Sequence, residues 1–293
     1  MSSRKRVILG LMTVGPDATY SARVTTLREV TACLDLFQEK GYHEVDTACL
    51  YDKGRQEDFT HQAGWKEREA KLDESLRELQ TDCLNVFYLH AADRATPWTV
   101  TLQALDRFHS QKKFKRLGLS NFSASEVAEI VTTCTERGWV TLTVYQAIYN
   151  AMATLKDLHA GYLTILNFLI AQSIKDELVP CCRRYGIDIV IFNPLAGGFL
   201  SGKYNASHIL AEGRFSEQNK IRGKVLTMVE VALRWCVHHS ALKVINGHDG
   251  IITGFSSFCQ LRSNLDYLEK AKYWHGELVY KYKNREAPLG QRD

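Results

Sequence analysis

Three side chains capable of proton chemistry follow two apolar segments of the sequence. Asp46 ends the apolar run 43–46, and Tyr51 comes five residues later. His90 ends a second run, 85–90. A carboxylic acid, a phenol and an imidazole can each give or take a proton during a reaction. The sequence therefore predicts an acid–base centre wherever the ends of these two segments meet.

Short β-branched runs alternate along the chain with segments of helical periodicity. Strands are predicted over 7–11, 43–46, 85–90, 116–120, 141–146, 188–193 and 250–254, and helices over 26–40, 70–79, 98–111, 125–137, 174–185 and 227–238. Repeated βα units of this number favour a closed (β/α)8 TIM-type barrel over an open sheet, in one domain over residues 1–293. Because such barrels carry their active sites at the carboxyl ends of the strands, the acid, the phenol and the imidazole are expected at one mouth.

Local signals support the helix boundaries. Ser123 with Glu126 three residues later forms a capping box that predicts the start of a helix. Gly41 and Gly186 each follow a helical run, where a left-handed cap favours glycine.

Polar groups also end the later strands. Ser120, Asn121 and Gln146 offer hydroxyl and amide groups suited to an uncharged polar ring, and the glycine pair Gly197 and Gly198 follows the next strand end. The glycine pair could form an ordinary turn, but its position directly after a strand end favours a role in binding a ligand.

Six motifs in order resemble the aldo-keto reductases, most closely the aflatoxin-aldehyde reductase branch and its fungal relatives. They read DTA..Y, FYLHAAD, LGLSNF, YQA.YN, NPLAGGFLSGKY and GFSSFCQL..NL, and the resemblance covers residues 7–151 and 173–271 with gaps. It implies an NADPH-dependent reductase of aldehydes or ketones, plausible substrates being xenobiotic or fungal secondary-metabolite carbonyls.

The resemblance also implies a role for each motif residue. Tyr51 would be the proton donor, Asp46 the acid behind it, and His90 the orienter of the substrate carbonyl. Residues implied to contact the cofactor are Asp46, Ser120, Asn121, Gln146, Phe192, Asn193, Pro194, Leu195, Ala196, Gly197, Gly198, Phe199, Leu200, Ser201, Gly202, Lys203, Gly254, Ser256, Ser257, Gln260 and Asn264. Phe192 replaces the tyrosine more usual there, and the stretch 193–203 would wrap the pyrophosphate with its backbone amides. The helix that starts near Ser257 would receive the 2′-phosphate, which favours NADPH over NADH.

The chemistry explains these residue types. Hydride delivered to a carbonyl carbon leaves an alkoxide, and a phenol within hydrogen-bond reach can protonate it. A free tyrosine titrates near 10 and is therefore protonated at neutral pH. In the family a lysine that ends the third strand pairs with the aspartate and assists the phenol.

That third strand and its lysine are missing from this sequence. Between Tyr51 and His90 no apolar run precedes the helical segment, so the barrel is expected to be incomplete. Lys53, Lys66 and Lys71 are the alternatives, but no spacing supports them, and Lys71 falls on the predicted outer helix. The stretch 154–172 is an atypical insertion, and the tail 272–293 has lost the resemblance.

Composition excludes several other classes. The 293 residues carry 37 basic and 33 acidic side chains, a formal charge of +4 that does not predict binding to nucleic acid. No apolar stretch is long enough to span a membrane. The eight cysteines show no paired spacing, which is typical of reduced thiols in the cytoplasm. His238 and His239 lie at a helix end and are not predicted to bind a metal, and the oligomeric state is not predicted.

Two alternatives to an active reductase remain open. The loss of the lysine would also suit a non-catalytic NADPH-binding barrel that serves as a regulator. The missing third strand and the unrelated insertion 154–172, which stand between well-matched family motifs, would also be produced by a defective gene model.

Overall fold

A computed structural model describes residues 5–19, 22–63, 81–151, 174–201, 227–245 and 248–270. Its strands are β1 (Arg6–Gly10), β2 (Glu44–Asp46), β3 (Leu84–Leu89), β4 (Phe114–Ser120), β5 (Leu142–Ile148), β6 (Asp188–Phe192) and β7 (Gly250–Thr253). Its α-helices are α1 (Leu27–Glu39), α2 (Gln56–Gln62), α3 (Trp98–Ser110), α4 (Ala124–Arg137), α5 (Val179–Arg184), α6 (Met228–His238) and α7 (Phe258–Glu269). Helix and strand alternate as the sequence predicts. For the elements whose bounds were predicted and are described, the bounds agree to within about two residues except before α5, whereas α2 was not predicted.

The strands form one parallel sheet in the order β2-β1-β7-β6-β5-β4-β3. Every ladder in the sheet is parallel. Within the described ranges no ladder joins β2 to β3, so these two strands are the edges of a curled sheet. The described residues thus form an incomplete (β/α)8 barrel, as predicted. We call the gap between β2 and β3 the seam.

Two apolar layers hold the sheet in shape. Ile8, Val144, Val190 and Ile252 pack against one another on its concave face, where their strands converge. A larger core fills the space between the convex face and the helices, with Leu9, Leu117 and Ile189 fully buried. Burial on both faces explains why these strands are continuous apolar runs.

The predicted capping signals are confirmed. Ser123 accepts the backbone N–H of Glu126, whose side chain accepts the N–H of Ser123, so α4 begins with a capping box. Gly41 and Gly186 have φ of 81° and 68°, which returns the chain from a helix to a strand. The predicted helix 174–185 begins instead as a π-helical turn over Ile174–Leu178, and only then continues as α5.

Some predictions fall outside the described residues. These are the helix 70–79, Lys66, Lys71, the insertion 154–172, Gly202, Lys203 and the tail 272–293. Within the part that is described, no helix has the length and apolar content to cross a bilayer. All eight cysteines are described, and none forms a disulfide.

Candidate active site

The predicted site residues share the carboxyl edge of the sheet. Asp46, Ser120 and Phe192 are the last residues of β2, β4 and β6, and His90 directly follows β3. Gln146 of β5 pairs in register with Ser120. Five strands therefore bring the predicted residues to one mouth, as the parallel topology requires.

Asp46 is the acid of this mouth, and its one side-chain partner among the described residues is an amide. Gln146 donates from Nε2 to Asp46 Oδ1 at 2.8 Å. Burial raises the pKa of Asp46 to about 6, and the bond from Gln146 opposes that rise only in part. In the same part of the chain no lysine or arginine forms an ion pair with this carboxylate. The pKa of Asp46 therefore lies above the usual range of a carboxyl group.

Tyr51 opens a short 3-10 turn, Tyr51–Gly54, which begins five residues after the acid. Its backbone N–H donates to the carbonyl of Ala48 at 2.9 Å, and its side chain is partly buried. Burial raises the pKa of the Tyr51 phenol above its ordinary value, and the nearby charge of Asp46 raises it further. The phenol is thus protonated at neutral pH and can donate its proton. Both burial and Asp46 raise its pKa, so neither moves it towards neutrality.

A buried acid that sequence reasoning missed supports this turn. Asp52 is 2% exposed and adopts a left-handed backbone with φ 47°. It accepts the N–H of Asp17 and the guanidinium of Arg55, each at 3.3 Å. A Cβ on Gly15 would lie 2.7 Å from an Asp52 oxygen, so only glycine allows this approach. The only hint in the sequence is an acidic residue beside Tyr51.

His90 lies across the seam from the acid. Its side chain is exposed, and its backbone carbonyl accepts a bond of 2.8 Å from Asn121 Nδ2. Asn121 reaches it because its own backbone is left-handed, with φ 64°. No hydrogen bond joins the imidazole to Asp46 or Tyr51 in the described ranges. The fold brings His90 to the mouth without fixing its ring there.

The segment that follows β6 turns sharply through left-handed residues. Asn193, Ala196, Gly197 and Gly198 have φ of 59°, 52°, 65° and 89°. The N–H groups of Ala196, Gly197 and Gly198 donate to Asn193 or Leu195 within the segment. In this conformation these three amides are occupied, so the predicted pyrophosphate cradle requires a rearrangement of the turn. A Cβ at either glycine would meet no atom within 4 Å, so the turn borders open space.

The middle of α7 carries a buried polar atom without a partner among the described residues. Asn264 is 1% exposed, and its Nδ2 donates to the Gly254 carbonyl at 3.1 Å. Its Oδ1 is buried and accepts no hydrogen bond within the described ranges. Ser256 donates from its N–H and hydroxyl to Gln260 Oε1 at 2.7 and 2.8 Å, and Ser257 caps the helix.

This arrangement fits the adenosine half of a nicotinamide nucleotide. A buried acceptor without a donor costs about 1–3 kcal/mol, and the amino group of adenine would satisfy it. The first amides of a twelve-residue helix likewise suit a phosphate. The residues that are present are therefore compatible with such a cofactor at this end of the sheet.

Comparison with known proteins agrees with the fold. The family model described as "Aldo/keto reductase family" matches residues 61–275. Aflatoxin B1 aldehyde reductase member 2 of Rattus norvegicus is 34% identical, over 91% of this chain and 81% of the relative. Human aldo-keto reductase family 7 member A3 is 32% identical and Monascus ruber aldo-keto reductase pigE 31%, each over 92% of this chain and 90% of the relative.

The length of the match to the rat protein indicates that this chain lacks residues that the relative has. The match to the rat protein extends over 322 residues, although this chain has only 293. The relative therefore carries residues inside the matched region that this chain lacks. This agrees with a barrel from which a segment has been lost.

Proposed function

The chain belongs to the aldo-keto reductase family, whose members are oxidoreductases of carbonyl compounds, and we propose that it reduces aldehydes or ketones with NADPH. Family members generally use NAD(P)H, which supplies the hydride for the carbonyl carbon. The observation that carries the proposal is the mouth, where a protonated phenol stands beside a partly buried acid.

Each protein group has a distinct task in this proposal. Tyr51 donates its phenolic proton to the carbonyl oxygen as negative charge develops there. Asp46 is the acid behind the phenol, and burial raises its pKa to about 6. His90 orients the carbonyl from the opposite side of the seam. The substrate is a small-molecule carbonyl, and the names of the relatives suggest aldehydes of xenobiotic or fungal secondary-metabolite origin.

The residues proposed to hold NADPH surround the rest of the edge. Ser120, Asn121 and Gln146 face the nicotinamide end, and Phe192 offers an aromatic face for stacking. Asn264 would accept from adenine, and the amides at the start of α7 would meet the 2′-phosphate, which NADH lacks. Asn193 to Lys203 would follow the pyrophosphate, and the last two residues of that segment, Gly202 and Lys203, lie outside the described ranges.

The phenol provides the direct test of the reaction. NADPH oxidation is followed with a reactive aldehyde such as 4-nitrobenzaldehyde for the native protein, Tyr51→Phe and the surface control Tyr185→Phe. Loss of a general acid costs on the order of 10²- to 10⁴-fold in rate, so Tyr51→Phe should remove nearly all turnover and Tyr185→Phe none. Equal turnover in Tyr51→Phe and the native protein would exclude this phenol as the donor.

A non-catalytic NADPH-binding barrel is the second candidate function. It is favoured by one observation, that Asp46 has no cation beside it in the described residues. The same assay separates the two, because a regulatory barrel would bind NADPH, measured by quenching of protein fluorescence, without turning it over.

A further inference from the structure

Gln146 makes an unusual connection across the mouth. It lies on β5, four strands away from β2 along the sheet, yet its amide reaches Asp46 at 2.8 Å. The bond therefore crosses the concave interior and does not follow the ladder. It ties the edge strand that carries the acid to the middle of the sheet.

The strand that carries Gln146 is firmly held. β5 pairs with β4 on one side and β6 on the other, and Gln146 is in register with Ser120 and Val190. Its neighbour Tyr145 donates its hydroxyl to the Phe122 carbonyl at 2.6 Å and accepts the Phe122 N–H. Gln146 is thus a rigid donor, whereas β2 is a three-residue edge strand with one neighbour.

Among the described residues, few charges face Asp46. The phenols of Tyr51 and Tyr88 interact electrostatically with it, and both are neutral at neutral pH, since a phenol ordinarily titrates near 10 and burial raises the pKa of each further. The charged residues near Tyr88 form two ion pairs, Arg6 with Glu44 and Arg116 with Asp188, each at 2.6 Å. Within each pair the opposite charges offset one another.

We infer that Gln146 is a positioning residue for Asp46, in which a neutral amide donor fixes the acid at the place where the described residues offer no cation. This inference rests on the proposed reductase function and deepens it. A neutral donor fixes the direction of the carboxylate as an ammonium would. It leaves the acid free to change its protonation state near neutral pH, which an ammonium would prevent.

The bond has a measurable consequence for the acid itself. Hydrogen bonding to the charged form favours that form, so removal of the donor should move the titration midpoint of Asp46 upward by about one pH unit. A lysine at position 146 should move it downward, because a cation favours the carboxylate.

The matched control is another glutamine with the same kind of bond. Gln62 donates from Nε2 to Asp58 Oδ2 at 2.6 Å on the exposed surface of α2. Gln62→Met therefore removes an amide–carboxylate bond of the same geometry without touching the mouth. It should leave the Asp46 midpoint and the reaction unchanged.

The experiment is a carboxyl titration by NMR of the full chain, labelled with [γ-13C]aspartate and free of nucleotide, with the Asp46 signal assigned by its absence in Asp46→Asn. The native midpoint is expected near pH 6, higher in Gln146→Met and lower in Gln146→Lys. If Gln146→Met does not fold, Gln146→Asn is measured, in which the side chain is one methylene shorter and its amide no longer spans to the carboxylate; it should also raise the midpoint.

Two outcomes would overturn the inference. A native midpoint below about 4 means that a cation from outside the described residues already pairs with the acid. An equal midpoint in native protein and Gln146→Met means that the bond does not hold the carboxylate.

The pH dependence of kcat/KM tests the link to the reaction. Its acidic limb should move with the NMR midpoint in Gln146→Met and stay in place in Gln62→Met. If the Asp46 midpoint moves in Gln146→Met but the acidic limb of the kcat/KM profile does not, the role of Gln146 is structural and is not linked to the reaction. Absence of turnover in the native protein would reject the proposed function alone, because the titration is read without substrate or nucleotide.

Discussion

Replacement of Asp46 by asparagine should stabilise the protein while it impairs the reaction. The native acid has its pKa raised by burial to about 6, and in an unfolded chain the same carboxyl titrates near 3.9. Each unit between these values corresponds to about 1.4 kcal/mol, so the partly buried carboxylate should destabilise the fold by about 3 kcal/mol at pH 7.5. Asparagine has no charge to bury and still accepts the bond from Gln146.

The sign of this effect determines how it depends on pH. Below about pH 4 the carboxyl is protonated in both states and contributes nothing. Between 4 and 6 the unfolded chain releases the proton that the folded chain keeps, so native stability falls as the pH rises. The gain from Asp46→Asn should therefore be about 1 kcal/mol at pH 4.5 and about 2–3 kcal/mol at pH 7.5, the latter worth about 4–6 °C in Tm.

Urea unfolding at the two pH values measures this, with Asp249→Asn as a comparison of opposite sign. Asp249 is fully buried; burial alone would raise its pKa, but bonds from Arg183 and from the amides of Lys243 and Ile189 lower it below its usual value. Asp249→Asn should cost about 2–4 kcal/mol at pH 7.5, and the cost should shrink as the pH falls through the native pKa. If Asp46→Asn is no more stable than the native protein at pH 7.5, the carboxylate is compensated and the reasoning about a missing cation fails.

Two further predictions concern the cofactor and the missing strand. Fluorescence titration should show tighter binding of NADPH than of NADH, and Asn264→Leu should weaken both about tenfold because the buried acceptor is lost; equal affinities for the two nucleotides would contradict the assignment. A grafted strand that ends in Thr-Lys, inserted between Glu69 and Ala70, should raise turnover about a hundredfold by supplying a preorganised charge beside Asp46; no gain would mean that another group already serves.

Much of the fold could be predicted because its signals are local. The capping box at Ser123 and the glycines at 41 and 186 depend on neighbouring residues, and each is found where it was predicted. The parallel topology then follows from the alternation of strands and helices, and it brings Asp46 and His90 to the same edge.

The parts that could not be predicted depend on contacts between distant residues. Gln146 and Asp46 are 100 residues apart, and no spacing in the sequence indicates that their side chains bond. The packing of Gly15 against Asp52 is equally invisible, since it requires the two loops to meet. The segment after β6 shows the limit of motifs. It was predicted to wrap a pyrophosphate with its backbone amides, and no spacing in the sequence indicates that three of these amides donate within the segment itself.

The seam makes the two sides of the proposed site unequal. On one side β2 is short, but it is anchored at its start by Glu44 to Arg6 and at its end by Asp46 to Gln146, so the acid is held at both ends of its strand. On the other side His90 follows the edge strand β3 and its ring is exposed. Within the described part of the chain, the hydrogen bond to His90 goes to its backbone carbonyl, from Asn121, and not to its ring. A displacement of about 1 Å in a reacting group can cost a hundredfold in rate. The orientation of the substrate carbonyl by His90 should therefore limit the reaction more than the placement of the acid does.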